Sequence, residues 1–158
     1  MKWYFPTLML LAITSPFSFA QPTDKSRPNQ NSGNVSIEFL QSFADAFNAH
    51  DLNKIMSHMT KDCIFEASAG LDIDGEKFTG QAEVRKAFEN VFSAYPDAHW
   101  GNARHFIAGN RGFSEWVFTG TKTDGTKVEV AGCDLFTFRQ GKIAIKNSYR
   151  KNRQPAAK

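Results

Sequence analysis

Only two cysteines occur among 158 residues. Two are too few for a disulfide scaffold, and Cys63 and Cys133 lack zinc-ligand spacing. Both sit in apolar, strand-like runs, DCIFEA and AGCDLF. A thiol there behaves as a small hydrophobe, so free thiols are the favoured expectation, with a disulfide between the two as the alternative in an oxidising compartment. Net charge is small too: 19 Lys and Arg stand against 16 Asp and Glu, a formal +3. Such a balance gives no electrostatic case for nucleic acid as a partner. No set of His, Cys and carboxylates has ligand spacing, so no metal and no cofactor is expected. No internal repeat or low-complexity tract interrupts residues 35–153. A length of ~120 residues suits one domain with its own core.

Residues 21–34, QPTDKSRPNQNSGN, contain no aliphatic or aromatic side chain. They cannot bury apolar surface and read as a flexible linker. Before them, MKWYFPTLMLLAITSPFSFA sets Lys2, an apolar run and Ser18-Phe19-Ala20 in order. That is the order of a signal peptide cut after Ala20. Pro6, Thr14, Ser15 and Pro16 interrupt the run. It falls short of the ~20 apolar residues of a membrane span, although an uncleaved anchor is the alternative. The expected organisation is a signal peptide over residues 1–20, a linker over 21–34 and a domain over 35–153. The mature protein would be exported, periplasmic or secreted, with no membrane contact after cleavage.

Ile37, Leu40, Phe43 and Phe47 form a helical stripe, and Ser36 is a candidate N-cap. Asn48 to Asp51 breaks that helix, and Asp51 can cap a second, shorter one. KDCIFEAS reads as a strand, followed by a hairpin or loop with Asp74-Gly75 at its turn. QAEVRKAFENVFSAY is a third helix with Val84, Ala87, Phe88, Val91 and Phe92 on one face, ended by Tyr95-Pro96. Then the period changes to two. HWGNARHFIAGN, RGFSEWVFTGT, TKVEVAGCDLFTF and KIAIKNSYR are four strands, punctuated by Gly109-Asn110, Asp124-Gly125 and Gln140-Gly141. Helices first and an antiparallel meander second make an α+β fold, a curved sheet wrapped around three N-terminal helices.

Asp134 stands out among Leu135, Phe136 and Phe138. The turns allow a register to be counted. A two-residue turn at Asp124-Gly125 places Glu115 opposite Asp134. A three-residue loop over Arg139-Gln140-Gly141 pairs Phe138 with Lys142 and Asp134 with Lys146. A three-residue loop at Gly109 to Arg111 sets His105 opposite Glu115; a two-residue loop chooses Arg104 instead. His105, Glu115, Asp134 and Lys146 then share one row. Either it is a solvated outer face with cross-strand ion pairs, or it is a cluster at an inner cavity where burial shifts a carboxylate. Val117, Thr119, Val130, Phe136 and Phe138 on the same face favour the inner reading.

Three segments, FADAFNAHDLNKIMSHMTKDCIFEASAG, FTGQAEVRKAFENVF and GFSEWVFTGTKTDGTKVEVAGCDLFTFRQGKI, resemble the SnoaL-like branch of the NTF2-like superfamily, which includes ketosteroid isomerases and polyketide cyclases. The resemblance implies a cone with a ligand pocket at its open end, and homodimers through the outer face of the sheet. It places the isomerase's catalytic base on Ala67, its oxyanion-hole tyrosine on Phe43 and its second oxyanion donor on Asp134. The base and the hydroxyl are therefore missing, while the acid is present. The expected catalytic set is Asp134, as proton donor or hydrogen-bonding anchor, with Glu115 and His105 as replacement bases. Lys146, Trp116, Glu66 and Phe43 are the expected substrate-binding residues. The ligand would be a small, largely apolar carbonyl compound, either turned over by proton transfer or only bound; the further alternative is a dimeric interaction domain whose pocket is vestigial.

Overall fold

The computed structural model describes residues 35–153. The expected signal peptide and linker lie outside the described residues. Helix α1 (Ile37–Asn48) is capped by Ser36 Oγ, which accepts from Phe39 N, and α2 (Leu52–Ser57) by Asp51, which accepts from Lys54 N at 2.9 Å. β1 (Met59–Glu66) and the short β2 (Lys77–Thr79) form a hairpin, and α3 (Gly80–Ala94) follows. Then come β3 (His99–Ala108), β4 (Arg111–Thr121), β5 (Lys127–Arg139) and β6 (Lys142–Arg150). The sheet order is β2-β1-β6-β5-β4-β3. β1 and β6 run parallel and the other neighbours antiparallel. This is the expected α+β cone: a bent, unclosed sheet with the helices against its inner face.

Leu40, Phe43, Ala46 and Phe47 of α1 are buried, as are Val84, Ala87 and Phe88 of α3. Ile37, counted in the stripe, is half exposed at the first position of the helix. The core is aromatic. Phe47 meets Phe43, Phe88 and Trp100 edge to face with centroids 4.9–5.3 Å apart. Asn48 ties the end of α1 to β3 by bonding both Trp100 N and Trp100 O, at 2.8 and 3.1 Å. His50 serves structure as well: its ring stacks on Phe92 and bonds Ala98 O at 2.9 Å.

Two turn lengths differ from the sequence reading, and each has a dihedral cause. A two-residue type I′ turn needs positive φ at both residues. At Asp124-Gly125 only Gly125 has it, at +85°. Asp124 instead accepts from Thr126 N at 2.9 Å. The loop is three residues, closed by Lys122 N to Thr126 O and Gly125 N to Lys122 O. At Gln140-Gly141 both residues have positive φ, +53° and +73°, and that loop is two residues. The Gly109-Asn110 loop takes the two-residue alternative and sets Arg104 opposite Glu115.

A one-residue change of register moves side chains to the other face. Asp134 therefore faces Ser114, and Glu115 faces Cys133. Between β5 and β6 the register shifts again near Thr137, with Ile143 and Ala144 both buried. This bulge restores the face that the turn alone would have changed. Phe136 pairs with Lys146, Asp134 with Ser148, and Lys146 still points inward.

Candidate ligand cavity

Between α3 and the inner face of the sheet lies a cavity of about 360 Å³. Its walls are mainly aromatic, including Phe47, Phe65, Phe88, Trp100, Trp116 and Phe118. Lys146 and Ser148 of β6 bring polar groups to it, and Glu76, Asn90, Tyr95 and Arg150 add others. A second, small cavity of about 30 Å³ borders His105, Ser114, Trp116, Asp134 and Lys146. That is room for a single water molecule.

Asp134 and Lys146 form a buried ion pair, Nζ to Oδ1 2.6 Å, with side chains 9 % and 8 % exposed. Lys146 Nζ also donates to Ser148 Oγ at 2.6 Å, and Ser148 Oγ donates to Asp134 Oδ1 at 2.6 Å. Trp116 Nε1 donates to the other carboxylate oxygen at 3.0 Å. Three donors thus hold one buried carboxylate, the compensation that buried charge requires. The ammonium lies 5.0 Å from the Phe65 ring centroid and 5.7 Å from that of Phe47, in cation–π range.

This geometry revises the expected role of Asp134. Both its oxygens already accept hydrogen bonds, and it borders the small cavity rather than the large one. It positions Lys146 and is not placed as a proton donor to a ligand. Lys146 itself does not sit opposite Asp134, but diagonally across from it on the inner face.

Glu115 leaves the expected row altogether. It lies on the outer face, paired with Arg104 at 2.7 Å. Val117 and Thr119 share that face, because they alternate with the inward Trp116 and Phe118. Glu66 also points away from the cavity and pairs with Lys77 at 3.1 Å, while its neighbour Ala67 lines the wall. Phe43 is core, edge to face with Phe47 and Phe136, and borders only the small cavity.

His105 stays on the inner side. Its Nδ1 sits 2.7 Å from Ser114 Oγ and its Nε2 3.2 Å from Gln41 Oε1. Gln41 in turn donates to Asp45 at 2.8 Å. Oε1 can only accept, so Nε2 carries the proton and Nδ1 accepts from Ser114. Burial pushes the imidazole below its ordinary value near 6.5, with Asp45 opposing. Cys63 is inside and Cys133 on the outer face, both free.

The sequence reading missed Ser114, Ser148 and Glu76. Ser148 could have been found from its two-residue spacing to Lys146, once the bulge was known. Glu76 lies beyond a turn whose fold-back, Ala67 N to Glu76 O at 2.8 Å, has no strong pattern.

A curved, unclosed six-stranded sheet with helices against its inner face is the NTF2-like cone. Within that class the chain belongs to the SnoaL-like domain family, whose profile matches residues 40–145. Solved structures agree in fold. A proposed polyketide cyclase from Pseudomonas putida KT2440 is 21% identical with TM-score 0.67, covering 76% of this chain and 93% of that one. An NTF2-like protein from Mesorhizobium loti is 22% identical with TM-score 0.63, covering 80% and 98%. A protein of ketosteroid isomerase-like fold from Catenulispora acidiphila DSM 44928, in complex with trimethylamine, is 18% identical with TM-score 0.64, covering 73% and 86%. No curated protein matches.

Proposed function

We propose that the cone binds a small, largely apolar molecule through a carbonyl oxygen that meets Lys146. One observation carries this reading: a buried ammonium borders an aromatic cavity while Asp134 and Ser148 take two of its three protons. The third is left for a ligand acceptor. Because Asp134 balances the charge, a neutral carbonyl suits the site without leaving a net buried charge. Cavities of ~300–1,000 Å³ are the usual size for such ligands.

Proton transfer is the second reading, and Glu76 favours it. Glu76, an exposed residue, borders the cavity beside Ala67 and is the carboxylic acid among its lining residues. It would take a proton from the carbon beside the carbonyl, leaving an enolate oxygen on Lys146. Export and pairing of two copies through the outer sheet face belong to the same proposal. They rest on residues 1–20 and on Phe106 and Tyr149, half exposed on that face.

Native mass spectrometry of the protein from its exported fraction tests these points together. The expected species lacks residues 1–20, is dimeric and carries a small molecule. Titration with 2-acetylnaphthalene and 2-ethylnaphthalene then isolates the carbonyl. The ketone should bind at least about tenfold more tightly, about 1.4 kcal/mol. Equal affinities would remove Lys146 as the anchor, and no binding of either, with no co-purified molecule, would remove the ligand reading. In heavy water, loss of the ketone's methyl proton signal with wild type but not with Glu76→Gln would establish proton transfer; equal rates would leave a binder.

A further inference from the structure

We infer that Trp116 is the floor of the large cavity and sets the length of ligand the cone accepts. This rests on the ligand-binding reading above. Trp116 borders both the 360 Å³ cavity and the 30 Å³ cavity, as do Phe47, Trp100 and Lys146, but among these four only Trp116 is bonded through a ring N–H to Asp134, the acid that lines the small cavity alone. The small cavity is walled mostly by apolar side chains, but His105, Ser114 and Asp134 also border it, and none of these three borders the large cavity. A ligand in front of Trp116 meets Lys146 and Ser148; a ligand reaching past it would meet the carboxylate.

Two contacts fix the indole. Its N–H is spent on Asp134 Oδ2 at 3.0 Å, which gives the ring one orientation. Its six-membered ring lies against Gly132, the residue directly across on β5. A Cβ at Gly132 would stand 2.2 Å from Cη2 and 2.5 Å from Cζ3 of the indole. It would also stand 2.5 Å from the Tyr149 carbonyl oxygen. Only hydrogen fits, so Gly132 is the seat that lets a tryptophan lie there. Packing alone would be served by a phenylalanine. The indole adds length and a donor, and here both are used.

The consequence is a size limit with a chemical reason. The indole closes the cavity and, by the same hydrogen bond, occupies the oxygen of Asp134 that a longer ligand would reach. Shortening the side chain joins the two cavities and uncovers that oxygen.

The test is calorimetric titration of acetophenone, 2-acetylnaphthalene and 4-acetylbiphenyl into wild type, Trp116→Ala and Trp116→Phe, with a melting curve for each. Wild type should discriminate against 4-acetylbiphenyl. Trp116→Ala should improve the affinity ratio of 4-acetylbiphenyl to acetophenone by about tenfold, and Trp116→Phe should shift it by less in the same direction. If Trp116→Ala does not fold, the shift in Trp116→Phe decides the matter. An unchanged ranking in the folded variants overturns the floor while the ligand reading stands. No binding of any ketone to any of the proteins overturns both.

Discussion

Two ion pairs on neighbouring strands have nearly the same length and opposite surroundings. Arg104–Glu115, on the outer face, spans 2.7 Å with side chains 75 % and 39 % exposed. Lys146–Asp134, on the inner face, spans 2.6 Å with side chains 8 % and 9 % exposed. Distance does not separate them; water does. The outer pair gains little over two hydrated charges. The inner pair gives up hydration and depends on Ser148 and Trp116 to complete its hydrogen bonds. Each inner charge is therefore costly to leave alone.

Breaking the inner pair gives the largest expected effect. Lys146→Met leaves a buried carboxylate without its cation and should lower unfolding free energy by about 3–5 kcal/mol in urea titration. Adding Asp134→Leu to it should restore much of the loss. If the double variant is no better than the single, the cost lies in packing and not in charge. The outer pair sharpens the contrast. Arg104→Ala should cost about 1 kcal/mol or less and lose even that in high salt. A cost matching that of Lys146→Met would erase the distinction.

The smallest effect is the pH dependence from His105. Its folded value is lowered by burial, so the unfolded chain binds the proton more readily. The contribution is fully present above the ordinary value near 6.5 and is lost as pH falls through the lower folded value. Wild type should lose stability over that window relative to His105→Asn in parallel urea titrations. Identical slopes would show that Ser114 and Gln41 hold the ring equally well in both charge states.

Local chemistry was readable where a signal is local. Ser36 and Asp51 announce their helices by side chains that cap them, and the change from helical to alternating period marks where α3 gives way to β3. The three segments carrying the family resemblance extend this to the cone. The site was less legible because it depends on which face each residue takes. That is a parity, and parity is the sum of every turn length and bulge between two strands. The Asp124-Gly125 turn is one residue longer than its sequence pattern implies, and Glu115 leaves the site. The Gln140-Gly141 turn is one residue shorter, and the bulge at Ile143-Ala144 cancels the change.

By itself the sequence determined the helices, the main strands and their order, because caps, periods and breakers act within a few residues. Only the tertiary structure decided that Asp134 is a held acceptor, that Lys146 is the group presented to the cavity and that Trp116 divides it. Those roles depend on three strands meeting at one depth, and on the exclusion of water that makes a buried charge need every one of its partners.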